Sequence, residues 1–383
     1  MTAIYFDHAA TTPLRPEVLE AMLPYFTERF GNPSSLHAFG RETRIALSGA
    51  RDRLASLLDC TPGELLFTGG GTESDNAALF GAAAKYGGSK KHLITTQIEH
   101  HAVLHACERL EREGCDVTYL PVDETGLVRI EDVEAAIRDD TFLISVMYGN
   151  NEVGTIQPIE RIGELARERG IVFHVDAVQA LGLEPLSLRS LPVDLMSFSA
   201  HKIYGPKGVG ALYVSKRIAI DPLLVGGNQE RKRRAGTENV PGIVGFAKAA
   251  ELAIEAMGDN RRHVRMLRDL MIQALTREIG TAAFTVNGHP SDVLPHILNV
   301  SFPGIDTETM LMSLDLEGIA AASGSACTSG SLELSHVLQA MRLPEDRMRS
   351  AVRFSFGFSQ PVEQIQAAAE KIATISRRIR NRT

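Results

Sequence analysis

Lys202 and Asp176 are the first residues in the 383-residue chain whose surroundings indicate chemistry. Lys202 follows the apolar segment "VDLMSFS" and precedes the turn-forming residues of "YGPKGVG". A lysine held in a dry site forms Schiff bases with carbonyl compounds. Asp176 lies near the end of the apolar segment "IVFHVDAV", where a carboxylate needs a partner. Taken alone, each has a more common explanation, a solvated loop lysine and a satisfied structural acid.

A glycine-rich stretch, "TGGGTESDN" at residues 68–76, has the composition of a phosphate-binding turn. Glycines after a strand let the backbone approach a ligand, and the N–H groups of a helix N-terminus suit a phosphate. Thr72 and Asp75 have the spacing of a capping box, which predicts that a helix begins there. On its own, the stretch is more typical of a capped structural turn.

Together, the lysine, the acid and the glycine-rich turn match the needs of pyridoxal 5′-phosphate. The lysine holds the cofactor aldehyde, the acid keeps the ring nitrogen protonated and the turn receives the phosphate. Ligands of parallel sheets bind beyond the carboxyl ends of the strands. We therefore predict that Lys202, Asp176 and the glycine-rich turn meet at one edge of a sheet.

Cys327 lies in "SGSACTSG", residues 323–330, among residues too small to pack a core around it. Gly324 and Gly330 are available as hinges. A thiolate becomes a useful nucleophile when its pKa is lowered or a base is near. By position alone, Cys327 is more simply an incidental exposed cysteine.

Strand-like and helix-like segments alternate between residues 63 and 214. Strands are predicted at 63–70, 91–97, 116–122, 141–148, 171–178, 193–200 and 208–214, with helices at 72–87, 101–114, 130–140 and 159–170. This alternation predicts an α/β fold with a mostly parallel seven-stranded sheet covered by helices.

The pattern changes near residue 255. A long amphipathic helix at 261–279, short strands at 296–302 and 351–357, and helices at 308–318, 331–341 and 364–380 predict a smaller α+β unit. We predict a large cofactor-binding domain over residues 15–255 and a small domain over 1–14 and 256–383. The small domain would carry a mobile catalytic-cysteine loop at about residues 321–331.

Ten short motifs follow one another between residues 4 and about 358: "YFDHAATTPLRPEV", "FGNPSSLH", "TGGGTESDN", "IEHHAV", "NNEVG", "VDAVQ", "SAHKIYGPKGVGALYV", "RAGTEN", "SGSACTSG" and "VRFSFG". In this order they resemble the cysteine desulfurase family of pyridoxal-phosphate enzymes, of fold type I and the class-V aminotransferase group. Any one motif is modest support, whereas ten in order over nearly the whole chain are specific.

The resemblance implies roles for the matching residues. Lys202 would bind the cofactor and move the substrate Cα proton, and Asp176 would pair with the ring nitrogen. His100 would stack on the ring and assist proton transfer, and Cys327 would accept the sulfur. The remaining implied cofactor contacts are Asn151 and Gln179 at the phenolic oxygen, and Gly71, Thr72, Ser199 and His201 at the phosphate. His101, beside His100, receives no role.

The resemblance also implies the substrate and the assembly. Arg353 would clamp the carboxylate of L-cysteine, which suits a planar bidentate donor, and Asn32 would assist it. Without the family context, Arg353 is more simply part of a surface salt bridge. Thr237 would reach the phosphate of the other subunit, so the pattern implies a homodimer with shared sites.

The implied reaction converts L-cysteine to L-alanine and leaves a persulfide on Cys327, a sulfurtransferase activity. An iron–sulfur scaffold protein, a tRNA-thiolation enzyme and a nitrogenase-type partner all remain open as sulfur acceptors. The nearest alternatives are a selenocysteine lyase or another class-V aminotransferase-like enzyme, because fold does not fix function. A sulfur-trafficking scaffold without catalysis is disfavoured by Lys202, Asp176, His100 and Cys327.

Composition limits the classes of binding partner and indicates the cellular compartment. The net charge of −7 argues against general binding to nucleic acid or a membrane surface. No secretory signal, membrane span or metal-binding pattern is visible in the sequence, and the four cysteines are scattered, so we expect a cytoplasmic protein. Cys60, Cys107 and Cys115 are expected to be structural or idle, and the basic run at 231–234 a solvated loop or a subunit contact.

Overall fold

The fold is described here from a computed structural model that covers residues 3–324 and 334–381. Its strands are β1 (Ile4–Tyr5), β2 (Leu65–Thr68), β3 (His92–Thr96), β4 (Asp116–Leu120), β5 (Thr141–Ser145), β6 (Val172–Asp176), β7 (Leu195–Ser199), β8 (Gly210–Val214), β9 (Thr285–Asn287), β10 (Ile297–Ser301), β11 (Ile319–Ala320) and β12 (Ala351–Ser355). Each of the seven strands predicted between residues 63 and 214 is present, in shorter form.

The α-helices frame these strands. They are α1 (Pro16–Met22), α2 (Pro24–Thr27), α3 (Ala38–Leu57), α4 (Gly71–Tyr86), α5 (His101–Arg112), α6 (Ile130–Ala136), α7 (Ile159–Glu168), α8 (Gln229–Lys232), α9 (Val240–Glu255), α10 (Met257–Ile279), α11 (Thr307–Leu316), α12 (His336–Ala340), α13 (Glu345–Met348) and α14 (Glu363–Arg380). The helix predicted at 331–341 begins only at His336, where Ser335 accepts a hydrogen bond from the Leu338 N–H as its N-cap.

The central sheet has the order β2-β8-β7-β6-β5-β3-β4. Only β8 is antiparallel to its neighbours, β2 and β7, and the remaining pairs are parallel. The inner strands β5, β6 and β7 are buried along their whole length, because helices cover both faces. This confirms the predicted α/β class and the mostly parallel seven-stranded sheet.

The chain after α9 builds a second core. The antiparallel sheet β12-β10-β9 packs with α10 and α14 around its own apolar cluster, which includes Val264, Leu298 and Ile372. The N-terminal strand β1 pairs with β11, so residues 4 and 5 join this part of the molecule. The proposed domain boundaries at residues 14 and 255 stay a prediction. In the part of the chain described, no helix is long and apolar enough to span a membrane.

Candidate active site

Asp176 and Lys202 lie at the same edge of the sheet, where β6 and β7 end. Asp176 is the last residue of β6, and β7 ends at Ser199, from which a short 3-10 turn, Ala200–Lys202, leads to the lysine. The register places Asp176 opposite Ser197. The two residues therefore meet at one edge, as the sequence pattern predicts, because the carboxyl ends of neighbouring parallel strands lie side by side.

A cavity of about 300 Å³ opens at this edge. Ten of the predicted site residues line it: Gly71, Thr72, His100, Asn151, Asp176, Gln179, Ser199, His201, Lys202 and Arg353. Neither Asn32 nor Thr237 belongs to the residues lining this cavity, and both are exposed in the single chain. Cys327 lies outside the described residues, although Gly324, at the start of its segment, lines the cavity.

The glycine-rich turn forms the cavity wall between β2 and α4. Gly70 has φ 149°, which favours glycine, and α4 begins at the next residue, Gly71. A Cβ at Gly71 would stand 2.7 Å from Val178 Cγ2, so only glycine fits there without a shift. The predicted capping box is wrong, because Gly70 is the N-cap and Thr72 lies inside the first turn. The first N–H groups of α4 are thus left for an anion.

The Lys202 ammonium points back at the N-terminal segment. Its Nζ donates hydrogen bonds to the carbonyls of Ala9 and, at 2.8 Å, Ala10. Gln179 uses the same segment, since its Nε2 donates to the Ala9 carbonyl at 2.9 Å. The "DHAATT" motif therefore contributes backbone acceptors that hold the lysine at the cavity.

Asp176 is buried, and one of its oxygens is already used. Its Oδ1 accepts a hydrogen bond from the Val178 N–H at 2.9 Å. Burial raises the pKa of Asp176 to about 6, against the opposing effects of that hydrogen bond and of the Lys202 charge. A cationic ring nitrogen in the cavity would supply the missing positive partner.

Two further buried acids lie near Asp176, and the sequence identifies neither as a site residue. Asp75 on α4 has one oxygen without a hydrogen-bond partner and lies 3.6 Å from His174 Nε2. Glu99 accepts hydrogen bonds from Thr96 and from the backbone N–H of Met147, and burial raises the pKa of its carboxyl to about 8. Burial and the nearby Asp176 raise the pKa of Asp75 as well. Burial thus opposes ionisation of all three acids, while the Lys202 charge favours the ionised form of Asp176.

His100 is the N-cap of α5, and its Nδ1 accepts a hydrogen bond from the Ala102 N–H at 3.1 Å. Burial, together with the Lys202 charge and neighbouring histidines, lowers the pKa of His100 to about 4, so the ring is neutral at physiological pH. His101 lines the cavity too, and its ring lies 4.7 Å from that of His336 between centroids. His336 follows the cysteine segment and had no distinguishing sequence signal.

Arg353 reaches the cavity from β12 and is buried. Its Nη1 donates to the carbonyls of Asn151 and Gly324, at 2.8 and 3.0 Å, and its Nη2 pairs with Asp7 at 2.8 Å. The Nε has no hydrogen-bond partner. Because the guanidinium is buried, the Arg353–Asp7 pair is not a surface salt bridge. A buried guanidinium with an unused donor suits a ligand carboxylate.

The basic run at 231–234 departs from the expectation of a solvated loop. Arg233 donates to the carbonyls of Gly63 and Leu65, both at 3.0 Å, and Arg234 pairs with Glu73. These contacts hold half of the run against its own subunit. A subunit contact by this run stays a prediction.

The chain matches the family described as "Aminotransferase class-V" over residues 4–368. It is 51% identical to "Putative cysteine desulfurase IscS 1" of Bacillus subtilis (strain 168), over 99% of this chain and 100% of the relative. It is 50% identical to "Cysteine desulfurase IscS" of Methanosarcina thermophila, over 99% of this chain and 93% of the relative.

The chain belongs to the class-V aminotransferase family, in its cysteine desulfurase branch. A solved structure titled "NIFS-LIKE PROTEIN" has the same fold, with a TM-score of 0.92, 39% identity, and coverage of 98% of this chain and 99% of that one. The resemblance inferred from ten motifs is therefore confirmed. Within residues 3–324 and 334–381, no three His, Cys, Asp or Glu side chains are grouped to hold a metal ion.

Proposed function

We propose that this chain is a pyridoxal-phosphate-dependent cysteine desulfurase that converts L-cysteine to L-alanine and carries the sulfur as a persulfide on Cys327. The observation that carries the proposal is the cavity of about 300 Å³ at the carboxyl edge of the sheet. There Lys202, Asp176, His100 and Arg353 converge from separate parts of the chain. Family membership supports the same activity.

The residues present fit the cofactor. Gly71 packs against Val178 with no room for a Cβ and starts α4 at the cavity, where free backbone N–H groups would receive a phosphate, with Thr72, Ser199 and His201 on the same cavity wall. Asp176 would pair with the ring nitrogen and keep it protonated, and Asn151 and Gln179 would hydrogen-bond the phenolic oxygen. When bound, the cofactor withdraws electrons from the substrate Cα.

Arg353 and Lys202 divide the work on the substrate. Arg353 lines the cavity and its buried Nε has no hydrogen-bond partner, so Arg353, assisted by Asn32, would bind the carboxylate of L-cysteine and fix its orientation. The Lys202 Nζ takes the Cα proton and returns it, and the carbonyls of Ala9 and Ala10 hold the amine while it is not bound to the cofactor. His100, which is neutral and lines the same cavity, would lie against the cofactor ring and assist that transfer.

Sulfur transfer needs a thiolate. The Cys327 thiolate attacks the substrate sulfur, the Cβ–S bond breaks, and its electron pair stays with the carbon, which takes a proton and becomes the methyl group of alanine. The new S–S bond is the persulfide. None of the described cysteines, Cys60, Cys107 and Cys115, lines the cavity, and burial raises the pKa of each thiol, which disfavours the thiolate.

We propose a homodimer as the working assembly. Exposed large apolar side chains cluster in the N-terminal helices, and the Phe30 and Phe39 rings are 5.7 Å apart between centroids. An apolar face of this kind is costly in water and suits a second copy of the chain. The exposed apolar side chains of this segment are Leu19, Leu23, Phe26, Phe30, Leu36, Phe39 and Ile45. The exposed Thr237 would then reach the partner's phosphate.

The sulfur acceptor is proposed to be an iron–sulfur scaffold protein or a tRNA-thiolation enzyme, reached through protein contact rather than through nucleic acid. We propose the cytoplasm as the compartment, because a persulfide carrier and the unpaired Cys60, Cys107 and Cys115 suit a reducing setting.

The deciding experiment compares Cys327→Ser, Lys202→Ala and the control Cys115→Ser, a cysteine away from the cavity. Cys327→Ser should keep cofactor absorbance and cofactor affinity yet release neither sulfide nor alanine from L-cysteine. Lys202→Ala should lose the wild-type absorbance, and Cys115→Ser should behave as the wild type. Sulfide release at the normal rate by Cys327→Ser would refute the persulfide role. If the wild-type protein cannot be loaded with cofactor, the proposed enzymatic activity is refuted.

A further inference from the structure

The Glu73 carboxylate stands at the phosphate seat, defined here as the turn Gly69–Thr72 and the first turn of α4. Its Oε2 accepts a hydrogen bond from the Gly69 N–H at 2.7 Å. Glu73 also lines an open cavity of about 550 Å³ together with Thr72, Ser199 and His201. An acid in the first turn stabilises a helix by itself, but here it brings negative charge to the place proposed for a phosphate dianion.

Arg234 cancels that charge. Its Nε donates to Glu73 Oε1 at 2.8 Å and its Nη2 to Oε2 at 3.2 Å, which is a two-point fork on one carboxylate. The two side chains are only 25% and 21% exposed, so solvent screens the pair less than a surface pair. The hydrogen bonds to Glu73 raise the pKa of Arg234, and the guanidinium stays charged.

The backbone before Arg234 is held in a rare conformation. Glu230, Arg231 and Lys232 have φ values of 47°, 59° and 67°, in the left-handed region that non-glycine residues avoid. The Glu230 carboxylate anchors this turn by accepting from the Phe67 N–H at 3.1 Å and pairing with Arg51. Such strain persists only where surrounding contacts enforce it, and here it aims Arg234 at the phosphate seat.

We propose that Arg234 is a positioning residue for cofactor binding, which neutralises Glu73 so that the phosphate seat accepts a dianion. The inference rests on the proposed cofactor and deepens it. Glu73 keeps the Gly69 turn in shape through its hydrogen bond, and Arg234 removes the repulsion that this acid would otherwise exert. The phosphate group, rather than the pyridine ring, is the part of the cofactor that depends on the pair.

The test measures binding of pyridoxal 5′-phosphate, and of pyridoxal without its phosphate, to the cofactor-free protein. Arg234→Met should weaken binding of the phosphorylated form about tenfold or more, because one like charge near the site is left unpaired. Binding of pyridoxal should stay within about threefold of the wild type. High salt should shrink the loss, since it screens charge.

Two more variants separate electrostatics from shape. Glu73→Gln keeps an acceptor for Gly69, and it should bind pyridoxal 5′-phosphate at least as tightly as the wild type. The double variant Glu73→Gln/Arg234→Met should regain wild-type affinity within about threefold. Arg217→Met is the matched control, because Arg217 pairs with Asp194 at 2.8 Å at the amino end of β7, on the opposite edge of the sheet.

Three results with pyridoxal 5′-phosphate alone would each overturn the inference: unchanged affinity in Arg234→Met, no recovery in the double variant, or weakening in Glu73→Gln to the same degree as in Arg234→Met. An equal loss for pyridoxal and its phosphate would also overturn it. Failure of the wild-type protein itself to bind the cofactor would instead refute the proposed function, so the two failures are distinguishable.

Discussion

Replacing Asp176 with asparagine removes the carboxylate proposed to face the ring nitrogen. Asp176 is 7% exposed, and burial raises the pKa of its carboxyl from 3.8 to about 6. That change corresponds to about 3 kcal/mol against the ionised form, which a cationic ring nitrogen must offset. Breaking a buried ion pair by removing one partner costs about 3–5 kcal/mol. We therefore expect the dissociation constant of pyridoxal 5′-phosphate to rise about 10²- to 10⁴-fold in Asp176→Asn.

The assay is titration of the cofactor-free protein with pyridoxal 5′-phosphate, followed by absorbance over a range of pH. Burial raises the pKa of Glu99 to about 8, so that carboxyl is protonated at neutral pH, and burial raises the pKa of Asp75 as well. Asp194→Asn is the matched control, since Asp194 is also a buried acid at a strand end but lies at the amino end of β7. Cofactor affinity within threefold of the wild type in a folded Asp176→Asn protein would refute the reasoning.

The remaining predictions concern pH, substrate and packing. Because the pKa of Asp176 is raised to about 6, its carboxyl takes up a proton below that pH, so cofactor affinity measured by titration should fall as pH drops below about 6, by at most about tenfold per pH unit. Arg353→Lys should raise KM for L-cysteine about 10- to 100-fold, because it loses the fork; an unchanged KM in steady-state kinetics would contradict the clamp. Gly71→Ala should weaken cofactor binding about tenfold, since its Cβ would meet Val178 Cγ2 at 2.7 Å, whereas Gly88→Ala, with open space around it, should not.

Local sequence determined the strand order along the chain and the residues at strand ends. Lys202 and Asp176 were predictable as neighbours because each lies at or just after the end of an apolar strand. Parallel strands end at one edge of the sheet. The glycine-rich turn was predictable because a positive φ and close packing at Gly70 and Gly71 require glycine. The helix boundaries were less predictable, as the wrong capping box at Thr72 and the late start at His336 show.

Only the tertiary structure brought together groups that lie far apart in sequence. The Nη1 of Arg353 bonds the Asn151 carbonyl across 202 residues, and Arg234 pairs with Glu73 across 161. All four residues lie in sequence motifs, but no periodicity or spacing predicts that they pair, because the pairing depends on how the small core after α9 and the turn at Gln229–Lys232 pack on the central sheet. The burial that raises the pKa of Glu99 and Asp75 likewise depends on tertiary packing. The candidate reactive residues, in contrast, could be identified from the sequence alone.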